Sequence, residues 1–284
     1  MKVLSLFDGM SCGQIALNRA GKPYDKYFAS EIDDKAISVT MDNFPATVQV
    51  GDIMTIDLEK LPKIHLLMGG SPCQNLSIGN NAGGGLEGEK SKLFYIYADV
   101  FRKVQPVYFL YENVASMKDK DRDIITSVLG VNPIEVCSSL FSAQTRKRYY
   151  WTNIPQSPLP VHCEVKFRDI LQTDGYTLLS DKAIQYMNRK TKNGVSRWSF
   201  GYIHNADKPK SQTLIANIRK GVPYNVCIDG DKFRHLTVAE CERLQTVPEG
   251  YTKSVNKTAA YEMLGNGWNI NTIAHLLSNI SITG

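Results

Sequence analysis

The sequence predicts an α/β protein, a parallel sheet with helices on both faces plus a small second domain, and three observations carry that prediction. Short apolar runs alternate with amphipathic stretches from Lys2 to about Asn153, the signature of βαβ units. A compact glycine turn, Gly9 to Gly13, joins the first run to the first amphipathic stretch. After Pro155 the texture becomes polar and proline-containing, and regular patterning returns only from Arg234.

In chain order, VLSLF, KYFAS, IHLLMGG and VYFLYE read as strands, each a short apolar run closed by a polar or glycine residue. Cys12 to Ala20, Asp33 to Asn43 and Ser91 to Val104 carry apolar residues at helical spacing. PQSPLPVH, 190–199 and 206–212 hold no strand longer than a few residues. Beyond Arg234, Thr237 is placed as an N-cap with Glu240 three residues on, a capping box, and a final helix is expected over Asn269 to Ile280. The expected division is a main domain at 1–155 completed by 258–284, a second domain at 156–233, and a hinge with a connecting helix at 234–257.

A chain of 284 residues, 43% of them apolar, can bury a sizeable core. No apolar stretch approaches the roughly 20 residues that span a bilayer, and MKVLSLFDG is unlike a signal peptide, so a cytoplasmic protein without a membrane partner is expected. The six cysteines (Cys12, Cys73, Cys137, Cys163, Cys227, Cys241) form no CxxC pair, which argues against a zinc cluster or a disulfide framework, and no metal is expected. The net charge of +5 is concentrated: 156–233 has 12 Lys and Arg against 7 Asp and Glu, and the other 206 residues have 21 of each. A neutral body with a basic module suits a polyanion, although an ordinary solvated surface has the same composition.

Phe7-Asp8-Gly9-Met10-Ser11-Cys12-Gly13 follows the first strand and opens the first helix, where small residues let a ligand approach the backbone. Glu31 stands 22 residues after Gly9 at the end of the second strand, placed to accept from a ribose diol. Gly51-Asp52-Ile53 adds a second carboxylate over the same edge, suited to an adenine amino group. Taken singly, the glycines also fit simple turns and the acids exposed loop residues.

Gly69-Gly70-Ser71-Pro72-Cys73-Gln74 follows an apolar strand, so Cys73 falls at the carboxyl edge of the sheet, where open α/β folds bind ligands. A lone cysteine there also fits core packing, but the flanking proline and glycines shape a tight loop that displays a thiol nucleophile. About forty residues on, Tyr111-Glu112-Asn113-Val114 ends another apolar strand. A carboxyl group so placed would favour its protonated form and serve as a proton donor, or else be a salt-bridged strand-end acid. In Gln144-Thr145-Arg146-Lys147-Arg148, strand periodicity puts Arg146 and Arg148 on one face, suited to a phosphate and a base oxygen.

In order, LFDGMSCG, SEID, GDI, GGSPCQNLS, YENV, QTRKRYYWTN, RHLTVAECERLQTVP and LGNGWNINTIAHLL resemble the motifs of cytosine-5 DNA methyltransferases. FDG and SPC are similar to the animal de novo enzymes, and Gln74 with Gln144-x-Arg-x-Arg to the bacterial and phage type. The resemblance implies a Rossmann-like class I S-adenosylmethionine-dependent methyltransferase sheet with 156–233 as target-recognition domain. It implies that Cys73 attacks C6 of a flipped cytosine while Glu112 serves N3, Arg148 the base O2 and Arg146 a phosphate, with Pro72 and Asn113 shaping the Cys73 loop. It implies a pocket for S-adenosylmethionine from Phe7, Asp8, Gly9, Ser11, Cys12, Gly13, Glu31, Ile32, Asp52, Ile53, Asn266, Gly267 and Trp268, and DNA contacts from Gln144, Arg146 and Thr213. Ser11 stands where the family usually has a second glycine.

The expected partner is double-stranded DNA, met by a monomer in a bacterial or phage-infected cell, with a cognate restriction endonuclease as a further expectation. Three alternatives share some of these features: an RNA (tRNA) cytosine-5 methyltransferase on the same fold, a nucleic-acid-binding relative without catalysis, and a dinucleotide-dependent oxidoreductase. The basic module and the Gln-x-Arg-x-Arg wording favour DNA over RNA. The second alternative would lack Cys73 or Glu112, and the third would need a pyrophosphate turn that Gly-x-Ser-x-Gly does not match.

Overall fold

The computed structural model describes residues 1–72, 92–200, 203–205, 209–219, 223–229 and 232–281. The chain divides into two compact units, one formed by Met1–Cys137, Lys147–Pro158 and Thr272–Gly284, the other by Ser138–Arg146 and Leu159–Asn271.

In the first unit β1 (Lys2–Leu6), β2 (Lys26–Ser30), β3 (Val48–Gln49), β4 (Leu66–Gly69), β5 (Tyr108–Val114), β6 (Ile134–Cys137) and β7 (Lys147–Thr152) form one sheet, in the order β3-β2-β1-β4-β5-β7-β6. β1 to β5 pair in parallel, as the βαβ pattern predicts, whereas β7 runs antiparallel to both β5 and β6. The reason is length: Ser138–Arg146 is shorter than the dozen or so residues that a parallel crossover needs.

Helices α1 (Cys12–Arg19), α2 (Asp34–Asn43), α3 (Lys92–Val104) and α4 (Asp119–Leu129) flank the sheet. Phe94, Tyr97 and Ala98 of α3, and Ile125 and Leu129 of α4, repeat at three and four residues and pack with Leu4, Leu6, Leu67, Phe109, Tyr111 and Trp151 of the strands. Val3, Leu4 and Leu6 are fully buried, as in a parallel strand covered on both sides. Asp33 caps α2 by accepting from Lys35 and Ala36 N–H, and Gly130, at φ +73°, ends α4.

The second unit contains α5 (Asp181–Asn188), β8 (Ile203–Asn205), β9 (Val226–Asp229), β10 (Lys232–Arg234), α6 (Val238–Gln245) and α7 (Lys257–Asn266). Its sheet runs β10-β9-β8, with β9 antiparallel to β10 and parallel to β8. The unit reaches past the expected 156–233 to Asn271 and takes in Ser138–Arg146. The expected hinge and connecting helix at 234–257 holds α6. Its Thr237–Glu240 capping box forms, and the same Glu240 carboxylate receives both Nη groups of Arg234 at 2.8 and 3.0 Å, with side chains 0% and 2% exposed.

The last helix, α8, spans Ile270–Leu277. Among the described residues no helix is long and apolar enough to cross a membrane.

Candidate active site

β1 lies between β2 and β4, so the carboxyl ends of β1 to β5 border the switch point of the sheet, where open α/β folds bind ligands. The loop leaving β1 is strained: Phe7, Gly9 and Ser11 have φ of +57°, +58° and +58°. Two of the three carry side chains, and such backbone persists only where its surroundings fix it. Asp8 N–H donates to Ser30 O at 3.1 Å, and Gly9 N–H donates to Glu31 Oε2 at 2.7 Å. Ser11 Oγ bonds the Asp8 carboxylate, to which Tyr27 Oη also donates at 2.7 Å.

Several residues expected in the cofactor pocket face inward instead. Asp8 is buried, and burial pushes its carboxyl up to about 6 against the hydrogen bonds from Ser11, Ser5 and Tyr27. Ser11 and Cys12 are buried with it. A Cβ on Gly13 would meet Met68 Cε and Tyr27 Oη, both at 2.6 Å, so this glycine lets α1 pack on the sheet. Ile53 belongs to the core beside Leu4 and Phe28. Each is a packing role that motif spacing alone does not separate from ligand contact.

Phe7, Gly9, Glu31, Ile32 and Asp52 do come to the sheet edge. Glu31 Oε1 accepts from Ile32 and Asp33 N–H at 2.8 and 2.9 Å. With Gly9 on Oε2, three of the carboxylate's roughly four acceptor positions are used, leaving one on Oε2 for a ligand hydroxyl. Beside it the apolar Ile32 is 72% exposed. Asp52 follows Gly51, at φ +77°, and its Oδ1 accepts from Met54 N–H at 2.9 Å.

On the neighbouring strands, Cys73 and Gln74 lie outside the described residues. The chain leading to them is described: Gly69 of β4 pairs with Tyr111 of β5, and a Cβ on Gly69 would meet Leu6 O at 2.9 Å and the Tyr97 ring at 3.0 Å. Ser71 is buried and Pro72 exposed. Asn113, expected to shape this loop, is buried with Nδ2 3.4 Å from Ser71 O. Ser71 and Tyr111 were not singled out in the sequence. Strand alternation was the available signal, since it puts Tyr111 with Asn113 and Glu112 on the opposite face.

Glu112 Oε1 lies 2.9 Å from Arg148 Nε across the β5·β7 pair, with the two side chains 12% and 13% exposed. Arg148 is steadied further by donating from Nη1 to Lys147 O at 2.8 Å. This is the acid and one arginine of the expected set, brought together as an ion pair.

Arg146 departs from the expectation. It precedes β7 instead of sharing a strand face with Arg148, and it is only 3% exposed. Its guanidinium donates to the carbonyls of Leu214, Gly265 and Gly267 at 3.0, 3.2 and 3.0 Å, a use within the second unit that lends no support to a phosphate contact. Gln144 is fully buried too, accepting from Leu214 N–H at 2.7 Å and donating to Gln245 Oε1 at 3.0 Å. Thr213 Oγ1 donates to Thr145 O at 2.7 Å. Gln144 to Arg146 thus clasp the Thr213-Leu214 segment. Gly265 lets α7 approach it, because a Cβ there would meet Ala216 N and Ile215 C at 2.3 Å.

Asn266 ends α7 in this second unit, and Gly267 caps it by donating to Met263 O at 2.7 Å. Trp268 follows, half-buried. Among the described residues no group of His, Cys, Asp or Glu could hold a metal ion.

The family model for C-5 cytosine-specific DNA methylases matches residues 1–281. The type II methyltransferase M1.ScrFI of Lactococcus lactis subsp. cremoris is 31% identical over 300 residues, covering 96% of this chain and 76% of the relative. Two solved structures have a similar fold. The Dnmt2 methyltransferase of S. pombe has a TM-score of 0.73 at 19% identity, covering 98% of this chain and 97% of its own. The methyltransferase EhMeth of Entamoeba histolytica has a TM-score of 0.80 at 15% identity, covering 98% and 96%.

Proposed function

This chain belongs to the C-5 cytosine-specific DNA methylase family and is a DNA cytosine-5 methyltransferase, and from that premise we infer how its residues divide the reaction. Cytosine C5 is a poor nucleophile until a thiolate adds across the 5,6 double bond. Cys73 is assigned that attack. A bond forms from sulfur to C6, and the electron pair of the double bond becomes available at C5. Glu112, with Arg148 beside it, serves N3, where negative charge builds up, and Arg148 serves the base O2.

S-adenosylmethionine, the methyl donor the family implies, supplies the methyl group to C5 when bound. The C5 proton then leaves, and β-elimination breaks the bond to C6, returning the Cys73 thiolate. Because C6 is unreachable inside a duplex, the base must be flipped out, costing a few kcal/mol of unstacking.

The first unit's own residues suit that cofactor. Glu31 keeps an acceptor position for a ribose hydroxyl, exposed Ile32 and half-buried Phe7 offer apolar surface to an adenine, and Asp52 suits its amino group. The strained backbone from Phe7 to Ser11 is held by Asp8 N–H on Ser30 O and Gly9 N–H on Glu31 Oε2.

The observation that carries this reading is the register of β4 and β5, which ties the residues leading to Cys73 to the strand bearing Glu112. The basic module is proposed as the reader of a short target sequence. A bacterial or phage host, a monomeric state and a partner endonuclease are proposals on the same footing, suggested by the type II relative.

Bisulfite sequencing of DNA from cells expressing the chain tests the assignment. Methylcytosine is expected at one short motif and should vanish in Cys73→Ala. Methylation that persists in that variant would remove Cys73 from its role.

A further inference from the structure

We propose that Tyr111 is a positioning residue for this reaction, its hydroxyl holding, through Ser71, the main chain that enters Cys73. The proposal rests on the reading of Cys73 as nucleophile. Tyr111 Oη lies 2.6 Å from Ser71 Oγ, and both residues are buried, 0% and 5% exposed. Asn113 Nδ2 donates to Tyr111 Oη at 3.2 Å and reaches Ser71 O and Oγ at 3.4 and 3.5 Å. Its own orientation is set by Val114 N–H, which donates to Oδ1 at 2.8 Å.

The tyrosine cannot drift. Its ring packs against Tyr97, Phe94 and Trp151 with centroids at 4.7, 5.4 and 5.8 Å. Burial holds its phenol up at about 12, so it remains a neutral O–H wherever the enzyme works. Glu112 sits between Tyr111 and Asn113 on the opposite face of the same strand, so one rigid segment fixes both the acid and the approach to the nucleophile.

The chemistry of the pair argues for orientation over stability. A phenylalanine at 111 and an alanine at 71 would fill nearly the same volume, removing both hydroxyls together and leaving Asn113 Nδ2 with Ser71 O at 3.4 Å. Replacing both partners of a buried hydrogen bond by apolar groups of like shape is close to neutral for folding. Two hydroxyls and an amide buried together therefore contribute mainly direction, and the direction ends two residues before Cys73.

The test uses the full chain as Tyr111→Phe, Ser71→Ala and the double variant, with Cys73→Ala in parallel. Each single change is expected to lower kcat about tenfold, because small misplacement of a reacting group is costly in rate. KM for duplex DNA and for S-adenosylmethionine should stay within about twofold. The double variant should be no slower than the worse single, the mark of one shared interaction, and should melt within about 2 °C of the parent.

An unchanged kcat in the double variant, a rise in KM with kcat intact, or a melting loss that accounts for the lost rate would each overturn the proposal. If the double variant folds poorly, the kcat and KM of Ser71→Ala decide by the same criteria. Methylation by Cys73→Ala would instead strike the underlying reading, an outcome separate from an inactive Cys73→Ala beside a fully active Tyr111→Phe.

Discussion

Glu31 in the first unit and Arg146 in the second are mirror images. Glu31 accepts from three main-chain N–H groups, those of Gly9, Ile32 and Asp33, and Arg146 donates to three main-chain carbonyls, those of Leu214, Gly265 and Gly267. Both stand in motifs that suggest ligand contact. Their surroundings separate them: Glu31 is half-buried beside an exposed isoleucine, whereas Arg146 is 3% exposed. A charged residue at motif spacing marks a place where backbone must be held. Exposure decides whether a ligand can share the grip.

The largest expected effect breaks that comparison at its buried end. Arg146→Ala removes a donor from three carbonyls, of which Gly267 O keeps Gln245 Nε2 at 3.1 Å, and should cost about 3 kcal/mol in denaturant unfolding. Glu31→Gln should cost about 1 kcal/mol in stability and about tenfold in S-adenosylmethionine affinity measured by calorimetry. Equal losses of stability, with affinity unchanged, would erase the distinction.

A second contrast is in pH. Burial raises Asp8 of the first unit from 3.8 to about 6, so the folded chain binds that proton more tightly than the unfolded one. The stability it contributes is full below the unfolded value and is lost as pH rises through about 6, some ~3 kcal/mol for a shift of this size. His235 of the second unit runs the other way: burial, then nearby Arg219, lowers it from 6.5 to about 4, so stability is lost as pH falls through that window. Melting curves between about pH 4 and 7 should show Asp8→Asn gaining on the parent as pH rises, and His235→Asn gaining as pH falls. Parallel curves for all three chains would contradict both assignments.

Much of the first unit was legible because parallel strands buried on both faces are plain apolar runs: KYFAS is β2 to the residue. The Thr237–Glu240 capping box was legible for a local reason, as both its partners lie within four residues. What was not legible depends on long-range packing. Gly13 is shaped by Met68, and Arg146 by carbonyls 68 to 121 residues away. Composition likewise does not reveal that Arg234 and Glu240 neutralise each other in the interior. Strand direction was equally hidden, and the antiparallel return of β7 follows from a short link. Within the site, Glu112 could be placed from sequence, but its ion pair with Arg148 needed the β5·β7 register.

The most direct test of the central claim is to map the covalent bond. Once the target motif is located, duplex DNA with 5-fluorocytosine at the methylated position is incubated with the chain and S-adenosylmethionine, and the linked peptide is sequenced by mass spectrometry. Fluorine cannot leave C5 as a proton does, so the sulfur–C6 bond should survive. The prediction is a single DNA–peptide adduct at Cys73, absent from Cys73→Ala. An adduct at Cys12, Cys137, Cys163, Cys227 or Cys241, or methylation of ordinary duplex with no adduct on the fluorinated one, would contradict it.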